Sequence, residues 1–465
     1  MADNTDIEIA VKRLAEQSAK YVKPAKYYAG DHDLQFATDK FKNTFGKLFH
    51  EFSLNMCPAV CDAMRDKLTI TGFSVEEASG EKEIPKDAWK IWQENRMGVR
   101  SRQIHREAVV NGDAYAIVWV DANQKTTIYP NRADSCTVFY DEETPGKVLW
   151  GAKYWVTSAN AKGDTFVRLN LFYADRIERY ISSKKSSGQL PKKMTAWTEF
   201  KPDTSEGEFS IPNPYGRVPI FHFGNNADIG SFGHSELSQA FAPQDALNKS
   251  VLDMMVAMEF ASFRQRWAAG IEIEYDADGK AIPPFTAGVE RLWTTENPET
   301  KFGDFDATDL EQFLKVKDGF RTDVAMVTGT PLHYFMLTGA SFPQSGISIE
   351  KLESRFLAKV RDRMEGFGQV WEDLISFALK IENKPDVRLF TEWEDPAPLS
   401  EKEQLDNLVV KQELGIPEEQ LWIEAGYGED AIEKMQQQKA DAADAAVRSF
   451  NKGDIPPLPG EQPPA

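Results

Sequence analysis

Residues 347–381 read ISIEKLESRFLAKVRDRMEGFGQVWEDLISFALKI, and this stretch decides the fold. Leu352, Phe356, Val360, Met364, Phe367, Trp371, Leu374 and Ala378 recur every three or four residues, the period of one helix face. At 1.5 Å per residue such a helix is about 50 Å long, more than an ordinary globular enzyme uses. Pro385 ends it. Working upstream, Gly329 to Gly346 is irregular, with Pro331, Gly339, Pro343 and Gly346 interrupting any period. Before that, Thr308 caps a helix over Asp309–Thr328 with Leu310, Phe313, Val316, Phe320, Val324 and Val327 apolar. Further back, Ser235–Ala269 reads as one long helix carrying Leu237, Phe241, Leu247, Val251, Met254, Met258 and Ala261, with a kink or restart at Pro243. Between those two helices Ile271–Ile282 reads as a hairpin turning at Asp276-Ala-Asp-Gly279.

The first half has a different texture. Thr5 or Asp6 caps a surface helix with Ile7, Val11 and Leu14, expected to end before Pro24. Asn55 caps a second helix through Val60, Met64 and Leu68, followed by a short strand, Thr69–Phe73. Two more helices fit Pro85–Asn95 and Val99–Asn111, the latter stopped by Gly112. From there the pattern is β: Tyr115–Val120, Thr126–Tyr129, Cys136–Tyr140, Val148–Thr157, Phe166–Tyr173 and Val218–Phe223, with Lys184–Gly188 a polar loop tip. Helices followed by a run of strands predict an α+β body. Beyond Pro385, Val387–Trp393 suits a strand, Ser400–Leu414 and Pro417–Gly426 suit helices, and Glu429–Phe450 a polar helix. The five prolines of Ile455–Ala465 predict a disordered end.

Composition narrows the function. A chain of 465 residues exceeds one ordinary core and predicts about three domains or one elongated multi-part subunit. Its 41% hydrophobic content, 11 Trp and 29 Phe exclude general disorder. No run of 18 apolar residues exists and Met1–Lys23 lacks the layout of a signal peptide, so no membrane association and a cytoplasm-like site of synthesis are expected. The formal net charge of −19 has the wrong sign for gripping phosphates, yet suits a wall along which a polyanion slides. Phosphate-cradling, dinucleotide, nucleophile-elbow and zincin motifs are all missing, which disfavours a motor subunit or hydrolase.

The remaining candidate clusters have plainer readings. Cys57 and Cys61, one helical turn apart, lack further ligands nearby and read as core, as does Cys136. Asp276-Ala-Asp-Gly279 lacks the closing carboxylates of a calcium loop and reads as a turn. His105 with Glu107 and Asp113 is an acid/base set only on paper, and Met254, Met255 and Met258 read as helix packing rather than a binding stripe. No catalytic residue, metal or cofactor is expected.

A set of short motifs, taken in order, carries a resemblance. They are Tyr27-Tyr-Ala-Gly30, Asn55 through Leu68 to Gly72-Phe73, Trp92-Gln-Glu-Asn95, Asn111-Gly-Asp-Ala-Tyr115, Gly233-His-Ser-Glu-Leu237, Gln244-Asp-Ala-Leu-Asn-Lys249, Thr330-Pro-Leu-His-Tyr-Phe335, Ser345-Gly346 and Phe367-Gly-Gln-Val-Trp371. In their order and distances they resemble the portal proteins of tailed bacteriophages, particularly those of long-tailed phages of actinobacteria. The resemblance implies a non-enzymatic subunit of a ring, usually of twelve, at one capsid vertex of the virion, assembled in the host cytoplasm. It implies an α/β wing at 1–234, a stem helix at 235–269, a small β-containing clip at 270–308, a second stem helix at 309–328 and a channel loop at 329–346. The long helix and wing return would occupy 347–395, a helical crown 396–450 and a disordered tail 451–465.

Partners implied are the major capsid protein and scaffold, the terminase large subunit, head-tail connector proteins, and double-stranded DNA passing without sequence-specific binding. The channel-loop candidates are His333, Tyr334, Thr338, Ser341 and Gln344, polar groups in a segment without Lys, Arg, Asp or Glu. The alternative is another non-enzymatic virion connector or capsid-associated protein.

Overall fold

The structure is a computed structural model that describes residues 4–32, 54–75, 84–121, 123–158, 164–185, 189–202, 207–228, 230–262, 266–270, 275, 277–279, 298–304, 311–335, 346–385, 387–397, 401–418, 421–422, 425, 432 and 434–441. In chain order the elements open with helices α1 (Asn4–Ala29) and α2 (Cys57–Asp66), strand β1 (Ile70–Val75), and helices α3 (Ile84–Glu94) and α4 (Met97–Asn111). Strands β2 (Asp113–Val120), β3 (Thr126–Asn131), β4 (Cys136–Tyr140), β5 (Val148–Ser158), β6 (Thr165–Tyr173) and β7 (Arg176–Ser182) follow. After a 3-10 turn at Met194–Ala196 come β8 (Trp197–Glu199), β9 (Ser210–Pro212) and β10 (Ile220–Gly224). The second half runs α5 (Phe241–Ser262), β11 (Arg266–Ala269), β12 (Lys301–Asp304), α6 (Glu311–Thr328), a 3-10 turn at Leu332–Tyr334, α7 (Gly346–Ile381), β13 (Leu389–Trp393) and α8 (Glu401–Glu413). The fold is α+β, as the sequence predicts.

Helix α7 organises the larger core. Its 36 residues span about 54 Å, and Phe356, Val360, Phe367, Trp371, Leu374 and Ala378 are buried against Tyr27, Cys57, Cys61, Met64, Trp92 and Phe223. The predicted period is therefore the face that meets α2, α3 and β10. Trp371 is fully buried, edge-on to Trp92 and against Phe223. Strand β13 then returns to pair antiparallel with β1, Phe73 opposite Thr391.

Two sheets complete the first half. Strands β10, β2 and β3 form one antiparallel sheet, and β4 to β8 with β9 form a six-stranded one. One face of the larger sheet, through Ala152, Val167, Leu169, Leu171 and Tyr180, receives Ile7, Ala10, Val11 and Leu14 of α1. On the opposite face Cys136, Val138, Phe172 and Ile177 pack against Tyr115, Ile117 and Ile220 of the smaller sheet.

Two expectations change. Helix α1 lies on the surface with one face packed, as expected, but it continues through Pro24 to Ala29. Proline removes one helical hydrogen bond, but Tyr21 on one side and Tyr27 on the other are each anchored by their hydroxyls, to Asp113 and Asp245. The helix expected over Ser235–Ala269 begins at Phe241, with Pro243 in its first turn, and stops at Ser262. Arg266–Ala269 is instead a strand paired with Lys301–Asp304. The hairpin expected at Ile271–Ile282 lies mostly outside the described residues, with a turn at 277–278.

Contacts divide the chain into two units, Met1–Phe342 with Glu353–Pro396, and Pro343–Leu352 with Ala397–Ala465. In the second unit α8 ends at Glu413, two residues before Gly415, whose φ of 84° suits glycine. A further helical stretch covers 434–441, where Lys439 pairs with Glu418. The proline-rich end and most of Glu429–Phe450 lie outside the described residues. Among the described residues no helix is long and apolar enough to cross a membrane.

Candidate functional site

Motifs far apart in sequence meet at a polar junction between the strands and the long helices. Gly112 ends α4 with φ 99°, and its carbonyl accepts from the Asn225 amide at 2.7 Å. Gly233 lies directly against it: a Cβ added at Gly233 would fall 2.0 Å from Gly112 O and 2.5 Å from Asn225 N. The Gly-Asp-Ala-Tyr and Gly-His-Ser-Glu motifs are thus two halves of one backbone crossing, closed by Glu236 N–H donating to Val109 O at 3.0 Å.

Asp113 fills the space beside that crossing and is fully buried. Its Oδ1 accepts from His222 Nε2 at 2.8 Å and Gly233 N at 2.7 Å; its Oδ2 accepts from the Tyr21 hydroxyl at 2.6 Å, with Lys20 Nζ at 3.5 Å. Burial pushes the Asp113 carboxyl up, but the His222 and Tyr21 hydrogen bonds and the charges of His222 and Lys20 outweigh it and hold it below its ordinary value. The Tyr140 hydroxyl, its ionisation suppressed first by burial and then by Asp113, sits 2.6 Å from His222 Nδ1. Both nitrogens of His222 are therefore committed, and the ring braces strands rather than activating a nucleophile.

Glu236 is the second buried carboxylate. It pairs with Lys359 and, at 3.1 Å, with Arg363 of α7, while Arg363 Nε donates to Asn225 Oδ1 at 2.7 Å. Burial raises the Glu236 carboxyl, and the two cations more than reverse that. Lys359 also donates to Thr328 O at 3.0 Å, the last residue of α6. A cleft of about 500 Å³ opens here, lined by His234, Glu236, Gln239, Thr328, Lys359 and Arg363.

The start of α5 is keyed in the same manner. Asp245 accepts from Tyr27 OH at 2.8 and 2.9 Å, Gln244 accepts from Met56 N and donates to Leu54 O, and Asn248 bridges Leu54 N and His32. Asn55, expected to cap the next helix, lies one residue outside it: Met56 is the N-cap and makes no side-chain cap hydrogen bond, while Asn55 Oδ1 accepts from Cys57 N at 3.0 Å.

The segment ahead of α7 is described at its root. Gly329, with φ 67°, stops α6, and Thr330 N–H donates to Ala325 O at 3.1 Å. His333 Nε2 lies 2.9 Å from Oε1 of Glu353, a carboxylate that is 2% exposed, and Tyr334 packs on Phe356. The Tyr334 hydroxyl is pushed up to about 12 by burial and by Glu353. Lys67 Nζ stands 4.0 Å from Glu353 Oε2 and donates to Pro396 O at 2.7 Å. Thr338, Ser341 and Gln344 lie outside the described residues.

The paper acid/base set comes apart. His105 is fully buried, accepts from Trp371 Nε1 at 2.9 Å and stacks on Phe367; burial lowers its pKa to about 3. Glu107 accepts instead from Asn111 and the Ala133 amide, and Asp113 belongs to the junction. Cys57 and Cys61 lie in the main core, where burial pushes both thiols up, Cys57 to about 12. Among the described residues no group of three or more His, Cys, Asp or Glu side chains is placed to hold a metal. His222, Asn225, Glu353, Lys359 and Arg363 were not singled out from the sequence. Glu353 and Arg363 did carry a signal, since each falls in phase with the apolar stripe of α7 at three residues from Phe356 and Val360.

The profile of the family described as "Phage portal protein, SPP1 Gp6-like" matches residues 10–446. The portal protein of Mycobacterium phage D29 is 24% identical over 405 residues, covering 83% of this chain and 78% of that protein. The portal protein of Mycobacterium phage L5 is likewise 24% identical, over 406 residues. Among solved structures, one titled "Virion of native gene transfer agent (GTA) particle" aligns with a TM-score of 0.43 at 12% identity, covering 83% of this chain and 88% of that one. Another, "Neck of empty GTA particle computed with C6 symmetry", gives 0.42 at 13% identity, covering 85% and 91%.

Proposed function

This chain belongs to the SPP1 Gp6-like family of phage portal proteins, and from that premise we propose that copies of it, expected to number twelve, close into a ring around a channel for double-stranded DNA. As a portal protein it is a structural component of the virion at a capsid vertex. It performs no reaction of its own. It assembles in the host cytoplasm with the major capsid protein and scaffold, receives the terminase large subunit during packaging and the head-tail connector afterwards, and lets DNA pass without reading its sequence. A net charge of −19 supports passage over capture, because phosphate binding depends on releasing counterions to cationic side chains.

The single observation behind this reading is the family match over nearly the whole chain. Within the ring we assign the segment 329–346 to the channel wall, with His333, Tyr334, Thr338, Ser341 and Gln344 toward the DNA. Two features support it. The root is tied down by Gly329 and the His333–Glu353 pair, and the stretch between Met336 and Ser345 carries no charged residue to grip or strongly repel phosphate.

Mass photometry with negative-stain microscopy of the purified protein tests the ring: closed rings are expected, and a monodisperse monomer at micromolar concentration would sink the proposal. Shortening the chain between Leu337 and Gln344 tests the loop. Rings should still form while DNA packaging or retention fails; rings that fall apart, with normal packaging in surviving particles, would make the segment an assembly element instead.

A further inference from the structure

The six-stranded sheet is covered unevenly. On the face that packs Cys136, Val138, Phe172 and Ile177 against the smaller sheet, full burial gives way to half-buried residues along the strands. Side chains two residues apart share a face, so the same face continues through Lys153 and Trp155 on β5, Arg168 and Asn170 on β6 and Arg179 on β7. Register places Lys153 opposite Asn170, Asn170 opposite Arg179, and Trp155 opposite Arg168. With strands about 4.8 Å apart, three cations therefore stand within about 10 Å of one another. Two aromatic rings floor the patch: the Arg168 guanidinium lies 3.2 Å from the centre of the Phe200 ring and 5.2 Å from that of Trp155, and Lys153 lies 5.5 Å from Trp155.

What sets these cations apart is the lack of an anion. Elsewhere on the same sheet Arg176 meets Asp175 at 3.0 Å and Glu178 at 2.8 Å, and Lys185 meets Asp164 at 2.6 Å. Among the described residues none of Lys153, Arg168 and Arg179 has a carboxylate within ion-pair distance, in a chain with 73 Asp and Glu. Among the described residues Arg168 Nε and Asn170 Oδ1 are buried atoms without a hydrogen-bond partner. Burial lowers all three cations, Arg168 to about 10 with the charge of Arg179 adding to the effect. The folded subunit therefore carries a desolvated, self-repelling cluster that an incoming anion would relieve.

We propose that this half-buried end of the sheet is a docking site for an acidic protein segment, whose carboxylates are taken by Arg168, Arg179 and Lys153 while its apolar stems lie on Trp155 and Phe200. Guanidinium forks match carboxylates in pairs of parallel hydrogen bonds. Duplex DNA fits less well. Proteins that hold a duplex make on the order of 6–10 phosphate contacts, against the cations available here, and the net charge of −19 repels a long polyanion.

The probes are fluorescein-labelled hexaglutamate, hexaglutamine and hexathymidylate, followed by fluorescence anisotropy on the full-length protein. Hexaglutamate should bind, and weaken as salt rises from about 50 to about 300 mM. The Arg168→Gln/Arg179→Gln pair should weaken it about ten-fold, and Arg168→Lys by less, because charge remains while the fork is lost. Arg179→Gln alone should leave the thermal midpoint unchanged or raise it, since it removes repulsion without removing a salt bridge. Hexaglutamate binding no tighter than hexaglutamine, or indifferent to both variants, would overturn the proposal. So would tighter binding of hexathymidylate at the patch, a midpoint lowered by several degrees in Arg179→Gln, or loss of rings in the variants. These last two would make the cluster a structural element or a contact between copies.

Discussion

At the junction a single methyl group has no place to go, whereas in α6 it meets nothing: a Cβ at Gly233 would fall 2.0 Å from a backbone oxygen, and one at Gly319 has no atom within 4 Å. The same contrast holds for polar groups. Around Asp113, Glu236 and Asp245 each buried carboxylate is matched by donors from distant segments. Along α6, by contrast, Leu314, Val316, Met326 and Val327 are all exposed, and the ion pairs Lys315–Glu311 and Arg321–Asp318 are local. The difference teaches where a lone subunit is already complete and where it still presents uncovered apolar surface. Apolar groups on more than one side of a helix are what a helix between neighbours carries.

The largest test of that contrast is Gly233→Ala. Backbone atoms, not flexible side-chain tips, block the new methyl, so the crossing must open at a cost of about 3 kcal/mol or more. Circular dichroism melts should show a collapsed midpoint or no soluble protein; a midpoint within a degree or two of wild type would mean the crossing is not tight.

A second test asks whether the core around α7 limits stability in acid. His105 is held at about 3 in the folded chain, by burial, against about 6.5 when unfolded. Between those values the unfolded chain binds a proton that the folded chain refuses, so stability falls as pH drops from about 6.5 toward about 3. In His105→Gln, which keeps an acceptor for the Trp371 N–H, urea melts should lose about one proton of that slope. An unchanged slope would assign the acid limb to other groups, such as Asp113 and Glu236, whose lowered carboxyls contribute stability that is lost as pH falls below the ordinary carboxylate range.

The smallest effect is expected at Gly319→Ala, where a better helix former fills open space and should stabilise by up to about 1 kcal/mol. A destabilised assembly with a normal lone subunit would sharpen the contrast, because it would show that something else covers that flank of α6.

Much of the fold was legible because its cause is local. The stripe of α7, the stop of α4 at Gly112 and the runs of β-branched and aromatic residues in β2 to β6 each depend on neighbours a few positions away. Strand β7 escaped notice because Glu178 looks solvent-facing, yet it is buried beside Arg176 at 2.8 Å and the Tyr180 hydroxyl at 3.0 Å. The early end of α5 escaped for a related reason: Arg266–Ala269 becomes a strand only by pairing with Lys301–Asp304, a partner no periodicity reveals. At the junction the motifs were visible, but nothing local says that Gly112 and Gly233 touch. Their meeting is a property of the packed core.

One pairing also bears on how the chain is made. Among the described residues strand β1 pairs with β13 alone, where Ile70 faces Trp393, about 320 residues later. At roughly 5–20 residues per second, the ribosome delivers that partner about fifteen seconds to a minute after β1 has emerged. Throughout that interval Phe73 and the backbone groups of β1 stand without their final cover. Nascent chains of this subunit are therefore exposed to mispairing with one another for as long as translation lasts, and slower synthesis lengthens the risk.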